Sequence, residues 1–286
     1  GYEDNIDSRA TFIKGSIFDF QLLSDSLANI DSVIHLAALK DAGESMSKPE
    51  LYSHQNIEGS LNVIKACIKK NVKKIVFSSS AAVYGIPKYL PIDESHDTNP
   101  INYYGYTKLC VEENLIWFNK IYGIKIACLR YFNAVGYNAN GIIKKVEKNP
   151  SNLLPLVMEV LIGRREILEI YGKDYETYDG TCLRDYIHVK DLALAHLKTM
   201  EYLEYNSSPL IVNLATGQSS SVLDVLKVAK EVSGKRIPYK FIDRRSGDSP
   251  ELYSISNFAK KKLGWSPEYS DLKFILESMW SIYKRL

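Results

Sequence analysis

Cysteine is scarce in this chain, and its four cysteines are not spaced to bind a metal or to form a disulfide framework. No two of them make a Cys-x-x-Cys pair, and no histidine cluster lies near them, so no metal site is expected. Three cysteines lie among apolar residues and are predicted to be small core residues: Cys67, Cys110 and Cys128. This usage suits a reducing compartment, and the sequence predicts a cytoplasmic protein.

Long hydrophobic runs and long runs of like charge are absent too. No apolar stretch approaches the roughly 18 residues that a membrane-spanning helix needs, and no signal peptide opens the chain. The formal net charge is only +2, and basic residues occur in short groups such as Lys260-Lys261-Lys262. Short groups of this kind are typical of solvated helix ends, so neither a nucleic-acid partner nor a membrane is expected.

The chain does have the length and the alternation of an α/β enzyme. Its 286 residues, 45% hydrophobic and 24% charged, suit one large domain or two closely packed ones with a core of normal size. In the first half, strands are predicted at residues 10–14, 31–38, 73–79 and 125–132, and helices at 18–28, 49–71 and 104–122. Such alternation, with strands that are almost continuously apolar, predicts a doubly wound parallel sheet covered on both faces.

The second half is less regular. Helices are predicted at residues 152–163, 191–205, 221–233 and 271–283, and a short strand at 168–171 precedes a polar loop. We therefore predict a first domain at residues 1–133, joined by a segment near 184–215, and a second domain formed mainly by residues 134–286. The second domain should be a smaller α/β unit over the carboxyl edge of the sheet, where open parallel sheets bind ligands.

The strongest chemical pattern is YGYTK at residues 104–108, with SSS at residues 78–80 upstream. Tyr104 and Lys108 are four apart and share one helix face. An ammonium beside a phenol lowers the pKa of the phenol, which would make Tyr104 a usable base near neutral pH. Ser80 could hold the substrate hydroxyl or pass a proton. A bare Tyr-x-x-x-Lys pattern also arises by chance, but the serine turn and the strand-then-helix order favour catalysis.

Five further stretches make a family resemblance specific. They read VIHLAALK at 33–40, FSSSAAVYG at 77–85, RYFN at 130–133, GTCLRDYIHV at 180–189 and RRSGD at 244–248. A Ser-Tyr-Lys set on such a sheet is the catalytic set of the short-chain dehydrogenase/reductases. With these stretches the chain resembles the UDP-galactose 4-epimerase family, an extended branch of that group, from near Gly15 to its C-terminus.

The resemblance implies a Rossmann-type sheet that binds NAD, and it assigns cofactor contacts residue by residue. In the family an aspartate stands at the position of Ser16, so a hydroxyl here replaces the expected carboxylate contact to the adenine. Small residues after a strand let the backbone approach the pyrophosphate. The implied NAD contacts are Ser16, Ile17, Leu36, Ala37, Ala38, Leu39, Lys40, Asn56, Ser78, Ser80, Tyr104, Lys108, Tyr131 and Phe132.

The resemblance also implies a UDP-sugar substrate. Two arginines would neutralise the diphosphate, which suits the bidentate guanidinium group, and Asp248 would bind the uridine ribose. The implied substrate contacts are Lys40, Ser80, Tyr104, Asn133, Asn152, Leu153, Leu168, Glu169, Tyr171, Arg184, Tyr186, Arg245 and Asp248.

The implied activity is reversible epimerisation at C4 of UDP-galactose or UDP-glucose in galactose metabolism. Tyr104 would take the proton from the 4-hydroxyl while hydride passes to NAD, and a 4-keto intermediate would form. Ser80 would hydrogen-bond the same oxygen, and Lys108 would bind the nicotinamide ribose. A homodimer through the helices at 51–71 and 104–122 is implied as well. Ala81-Ala82 stand where the related dehydratases carry an Asp-Glu pair, which disfavours dehydration.

Several alternatives stay open at this point. Neither GxxGxxG nor GxGxxG occurs in the chain, although dinucleotide-binding folds usually begin with a Gly-rich loop. We therefore expect that an N-terminal strand and this loop are missing from the sequence given. The rival functions are another nucleotide-sugar epimerase or a non-catalytic fragment.

Four residues near these motifs also have structural interpretations. His35 and His188 lie on predicted strands and are expected to be buried structural residues. Tyr84 is expected to pack rather than to act as a base. Arg184 could form an internal ion pair with Asp185 instead of binding a diphosphate.

Overall fold

The computed structural model describes residues 2–138, 143–244 and 248–286. The helices are α1 (Phe20–Ser26), α2 (Ala42–Ser47), α3 (Pro49–Tyr52), α4 (Gly59–Lys69), α5 (Tyr103–Tyr122), α6 (Leu153–Leu161), α7 (Val189–Tyr205), α8 (Val222–Ser233), α9 (Asn257–Leu263) and α10 (Leu272–Tyr283). The strands are β1 (Ser32–His35), β2 (Lys74–Ser80), β3 (Lys125–Tyr131), β4 (Asn133–Val135), β5 (Leu168–Tyr171), β6 (Leu183–Arg184), β7 (Tyr186–His188), β8 (Leu210–Leu214), β9 (Ser220–Ser221), β10 (Tyr239–Ile242) and β11 (Glu251–Leu252).

The main sheet contains four parallel strands in the order β1-β2-β3-β8. Helices α4 and α5 cover one face, where residues such as Ile64 and Leu115 pack on Ile75 and Ile126. Helices α7 and α9 cover the other face. Because both faces are covered, most positions of β2 and β3 are buried, and the apolar runs IVF in β2 and IACL in β3 lie between helices on both sides. The predicted α/β fold with a doubly covered parallel sheet is confirmed.

The strand predicted at residues 10–14 is wrong. Residues 11–16 have neither helical nor strand structure, and Phe12 and Ile13 are each 51% exposed. An apolar stretch becomes a strand only when a neighbouring backbone accepts its hydrogen bonds. In the described part of the chain, β1 pairs with β2 alone, and no strand lies beside this stretch.

The long helix predicted at residues 49–71 forms, but a π-turn interrupts it. The turn at Ser53–Glu58 joins α3 to α4 without breaking the helical path. A π-turn has one more residue than an α-turn and is frequent at functional sites. Asn56 lies inside this turn and is only 2% exposed, so the turn directs an amide side chain into the protein.

The described residues of the second half form three small sheets around their own core. They are β5 with β10, β6 with β9 and β11, and β4 with β7. Helices α6, α8 and α10 pack together through residues such as Met158, Val225 and Met279. Strand β4 begins two positions after the last residue of β3, so this half starts at the carboxyl end of the main sheet. Across the described residues, no helix is both long and apolar enough to cross a membrane.

Candidate active site

A cavity of about 560 Å³ opens at the carboxyl ends of β1, β2 and β3, between the main sheet and the second half. This volume lies within the usual range of small-molecule sites. Most of the residues expected to bind cofactor or substrate line it: Leu36, Ala38, Lys40, Ser78, Ser80, Tyr104, Lys108, Tyr131, Phe132, Asn133, Asn152, Leu153, Glu169, Tyr171, Arg184, Tyr186 and Asp248. The two halves of the chain therefore supply one shared site.

The first turn of α5 fixes the position of Tyr104. Asn102 caps the helix, since its Oδ1 accepts a hydrogen bond from Gly105 N at 2.8 Å, and Tyr104 N donates to Ser45 Oγ at 3.0 Å. A Cβ at Gly105 would lie 2.4 Å from the carbonyl oxygen of Ala82. Only glycine therefore lets α5 approach the turn after Ser80 this closely. The close approach brings the Ser80 hydroxyl within hydrogen-bonding distance of the Tyr104 phenol.

The electrostatics of Tyr104 differ from the sequence prediction. Burial raises the pKa of Tyr104, and the hydrogen bond from Ser80 opposes this only in part. The Lys108 ammonium lies 5.8 Å from the centroid of the Tyr104 ring. In the protein alone, burial of the phenol therefore dominates the pKa of Tyr104, contrary to the net lowering that the sequence predicted from Lys108.

Lys108 is a buried cation that is only 4% exposed. Its Nζ donates to the carbonyl oxygen of Ser78 at 2.7 Å and lies 4.7 Å from the centroid of the Phe77 ring. Within the described residues no carboxylate forms an ion pair with it, and burial lowers the pKa of Lys108 to about 8. An ammonium has three donors, and Lys108 lines the cavity. The Lys108 ammonium therefore has N–H donors beyond the one bonded to Ser78, and these can bind the ribose hydroxyls of a cofactor.

Asn56 does not reach the cavity, although it was expected to contact the cofactor. Its Oδ1 accepts from Leu39 N at 2.8 Å, and its Nδ2 donates to Leu39 O at 3.0 Å and to Thr107 Oγ1 at 3.1 Å. The side chain thus holds the segment after β1 against α5. In this structure Asn56 supports the backbone that borders the cavity.

Other predicted contacts also lie outside the cavity lining. Ser16 Oγ accepts from Phe18 N at 3.2 Å in the loop before α1, and Ile17 packs so closely on α4 that a Cβ at Gly59 would lie 2.5 Å from its Cδ1. Leu168 is 1% exposed in the core of the second half, because alternate residues of β5 face opposite sides. The side chains that the structure leaves out of the cavity are Ser16, Ile17, Ala37, Leu39, Asn56 and Leu168; Arg245 lies outside the described residues.

The arginine on β6 has a carboxylate partner within the site. Arg184 Nη2 lies 3.4 Å from Asp248 Oδ1, and its Nη1 donates to Ser249 O at 2.8 Å. The alternative ion pair with Asp185 is wrong. The Asp185 carboxylate instead accepts from Thr216 and from Gly217 N, and its burial raises the pKa of Asp185 to about 6.

Three further polar residues of the site have partners. Lys40 Nζ lies 2.9 Å from Glu147, and Glu169 Oε1 lies 2.8 Å from Lys240 Nζ. Asn133 Nδ2 donates to the carbonyl oxygen of Asp185 at 2.8 Å. Both ion pairs are half exposed and are expected to be weak, so either can open for an incoming anion or hydroxyl.

Some residues that line the cavity were not predicted. They are Ser79, Ala134, Val135, Ser151, Leu154, Leu156, Ile170, Cys182 and Val222. The sequence could have predicted Cys182. It stands two residues before Arg184 in an extended segment, and residues two apart in such a segment face the same side. Val222 had no signal, since its approach depends on how α8 packs in the second half.

The residues expected to be structural are buried. His35 is 5% exposed with its Nε2 2.8 Å from Ser60 Oγ, and burial lowers the pKa of His35 to about 4. His188 is 1% exposed, and Tyr84 is fully buried with its hydroxyl bonded to Asn213 Oδ1 at 2.7 Å. None of the three lines the cavity.

A second concavity, of about 580 Å³, lies at the opposite edge of the sheet. Its cations already have partners: Lys74 pairs with Glu204, and Lys125 Nζ donates to Leu203 O and Glu204 O at 2.8 Å each. Because these charges are satisfied internally, the first cavity is the better candidate for chemistry.

Comparison with known proteins agrees with this geometry. Residues 2–215 match the model of the NAD dependent epimerase/dehydratase family. A UDP-glucose 4-epimerase of Halalkalibacterium halodurans is 43% identical over 279 residues, which are 97% of this chain and 84% of that protein.

Two solved structures have the same fold. UDP-glucose 4-epimerase from Brucella ovis in complex with NAD is 39% identical, with a TM-score of 0.91 over 94% of this chain and 83% of that one. The enzyme from Bifidobacterium longum in complex with NAD+ and UDP is also 39% identical, with a TM-score of 0.90 over 96% and 82%. This chain belongs to the NAD dependent epimerase/dehydratase family.

Proposed function

We propose that this protein is an NAD-dependent isomerase that inverts C4 of a UDP-hexose, interconverting UDP-galactose and UDP-glucose in galactose metabolism. The proposal rests on one observation: Ser80, Tyr104 and Lys108 line the same cavity. Arg184 and Asp248 line this cavity from the other side. The curated relatives that are UDP-glucose 4-epimerases support the same reaction.

In this proposal each residue of the set has a separate task. NAD, when bound, supplies the hydride acceptor and donor. Tyr104, as the phenolate that the positive charges of Lys108 and of bound NAD+ would favour, takes the proton from the sugar 4-hydroxyl while hydride leaves C4, and later returns it, which turns the alcohol into a ketone and back. Ser80 hydrogen-bonds the same oxygen and orients it toward the phenol. Lys108 binds ribose hydroxyls of the cofactor, and its ammonium, 5.8 Å from the centroid of the Tyr104 ring, favours the phenolate.

We propose that the UDP group binds between α6, β5 and β6. Arg184 would leave its bond to Asp248 or share it, since a guanidinium binds diphosphate through two donors, and Asp248 would accept from ribose hydroxyls. The other residues proposed for this part are Asn133, Asn152, Leu153, Glu169, Tyr171 and Tyr186, with Lys40 at the boundary to the cofactor; Arg245 is retained from the sequence motif.

The domain division also stays a proposal. Residues 1–133 with the segment near 184–215 would bind NAD, and residues 134–286 would mainly bind the nucleotide sugar. In support, β8 pairs with β3 in the main sheet, and α6, α8 and α10 form a separate core. All four cysteines are unpaired, which supports a cytoplasmic location.

We further propose a homodimer through α4 and α5. The outer face of α5 carries large apolar side chains that are well exposed: Tyr106 at 48%, Trp117 at 61% and Ile121 at 65%. Apolar side chains aligned on one helix face are typical of an interface with another protein, and the family resemblance names a second copy as the partner.

The full-length gene product should convert UDP-galactose to UDP-glucose, measured by coupled UDP-glucose oxidation, with NAD released only on denaturation. Tyr104→Phe removes the proton acceptor, so we expect kcat to fall by about 10²–10⁴-fold. Tyr106→Phe makes the same chemical change two residues along the helix, on the exposed face, and should keep the parent rate. A Tyr104→Phe enzyme that is as active as the Tyr106→Phe enzyme would contradict the assignment.

A further inference from the structure

A connected group of buried polar side chains extends from the site through the sheet. Glu112 lies on α5 four residues after Lys108 and is 1% exposed. Its Oε1 accepts from Arg130 Nε at 2.9 Å and its Oε2 from Arg130 Nη2 at 2.6 Å, while Ser79 Oγ donates to Oε1 at 2.5 Å. Arg130 Nη1 donates to the Tyr84 hydroxyl at 2.9 Å.

A buried charge placed here must affect Lys108. Residues four apart on a helix are neighbours on one face, and Glu112 is the carboxylate that opposes the effect of burial on Lys108. Lys108 itself forms no ion pair within the described part of the chain, and its Nζ bonds a neutral carbonyl oxygen. A buried ammonium without a counter-charge tends to lose its proton.

Two neighbouring residues hold Glu112 in place. Arg130 donates to both oxygens of its buried carboxylate, so the two charges form a bidentate pair. Ser79, next to Ser80 on β2, fixes its position relative to the strand end that carries the catalytic hydroxyl.

We propose that Glu112 is a positioning residue for Lys108: held by Arg130 and Ser79, its carboxylate supplies the negative charge that keeps the Lys108 ammonium protonated beside Tyr104. The consequence for turnover rests on the proposed epimerase function. The electrostatic effect on Lys108 does not, and it can be measured without turnover.

Other ionisable groups around Lys108 do not supply this charge. Tyr104 on α5 and His35 on β1 are neutral near pH 7, since burial raises the pKa of Tyr104 and lowers that of His35. The groups on the other elements packed against α5 are Tyr131, Cys128, Arg130 and Lys125 on β3, Lys74 on β2, Tyr84 after β2, Glu44 and Lys48 near α2, Glu50 and Tyr52 on α3, His54 and Glu58 in the π-turn, and Lys65, Cys67 and Lys69 on α4. Glu50 is exposed. Glu44 pairs with Lys48, and Glu58 with His54, in exposed positions.

The test is a pH titration of Lys108 in the full-length protein, monitored by the ¹³Cε chemical shifts of the lysines. The Lys108→Met variant identifies the signal that belongs to Lys108. Glu112→Gln keeps the shape but removes the charge and one of the two acceptor oxygens that Arg130 uses, so the titration midpoint of Lys108 should fall by about one pH unit. Glu113→Gln is the matched control, because it makes the same change at the next position, where the side chain is exposed, and it should leave the midpoint unchanged.

Glu112→Gln leaves Arg130 buried without a counter-charge and can fail to fold. The double variant Glu112→Gln/Arg130→Met removes the whole pair and should fold. Its Lys108 midpoint should also fall, but by less than in Glu112→Gln, because the positive charge of Arg130 is removed as well. A midpoint equal to that of the parent in either folded variant overturns the proposal.

Turnover provides a second readout that a merely structural role would not change. We expect the ratio of the kcat of Glu112→Gln to that of the parent to be near one at pH values below the lowered Lys108 midpoint of the variant. The ratio should decrease as the pH rises through that midpoint, and KM for the UDP-sugar should not change. A ratio that is independent of pH would show that Glu112 only supports the fold. If the parent itself does not epimerise UDP-galactose, the proposed function fails, and the titration still decides the role of Glu112.

Discussion

At the scale of single residues, His35 shows how burial couples charge to stability. Its ring is 5% exposed on β1 and bonds Ser60, and burial together with the charge of Lys108 lowers the pKa of His35 to about 4. In an unfolded chain a histidine takes up its proton near pH 6.5. Between these two values the unfolded state binds the proton and the folded state does not, so stability decreases as pH falls.

We therefore expect His35 to make the protein about 2 kcal/mol less stable near pH 5 than near pH 7, as measured by urea unfolding. His35→Gln should remove this contribution, so the variant should lose less stability between the two pH values. His54→Gln removes a histidine whose side chain is 50% exposed, and it should follow the parent. Equal pH dependence in all three proteins would contradict the expected effect of burial.

The identity of the chemical residues was readable from the sequence, but their electrostatics were not. YGYTK after SSS predicted that Ser80, Tyr104 and Lys108 meet, because helix periodicity and the carboxyl edge of a parallel sheet are local rules. The pKa of Tyr104 depends on how completely the fold removes water from the phenol. No spacing in the sequence gives that quantity.

At the scale of elements, the cap of α5 holds the helical turn that carries Tyr104. Asn102 Oδ1 satisfies the Gly105 amide at 2.8 Å, one residue after Tyr104. Asn102→Ala should lower the free energy of unfolding by about 1 kcal/mol, measured with urea. Tyr104 lies in the helical turn that loses its cap in this variant, so kcat should fall as well.

Asp271→Ala is the control for this prediction. Asp271 caps α10 through Lys273 N at 3.0 Å and Phe274 N at 3.1 Å, in the second half and away from the cavity lining. The change should cost similar stability with no loss of kcat. If both variants keep full activity, the α5 cap does not hold Tyr104.

Most elements could be predicted because local pattern and tertiary role agree. Strands β2 and β3 and helix α5 formed within two residues of their predicted ends. The π-turn at Ser53–Glu58 was not foreseen, since the helical periodicity of the apolar residues continues across it. The strand expected at residues 10–14 failed for the opposite reason: its pattern was apolar, but a strand needs a pairing partner.

At the scale of the whole molecule, we expect the proposed dimer to depend on the outer face of α5. Trp117→Glu combined with Ile121→Glu places charges on that face, and sedimentation should then give the mass of one chain where the parent gives two. Leu197→Glu, at a position on α7 that is 60% exposed, should leave the parent mass unchanged. A parent that sediments as a single chain would contradict the dimer.

The smaller sheets of the second half were the least predictable part of the molecule. Strands β6, β9 and β11 have two residues each, too short for any periodicity to appear in the sequence. Their arrangement nevertheless brings Arg184 and Asp248 to the cavity. The positions of Arg184 and Asp248 depend on how the second half packs. The motifs that contain these residues therefore indicated a role in binding, but not that the two side chains contact each other.

The separation of the two hydrophobic cores has an evolutionary consequence. Tyr104 and Lys108 stand on α5, which packs in the core of the main sheet, whereas Asn152 and Glu169 border α6 and β5, which pack in the other core. Mutations that remodel the second core can thus alter which nucleotide sugar is accepted while the residues that handle the proton stay undisturbed. A lineage with this architecture can diversify its substrates by gradual drift in one half, with selection holding the other half constant.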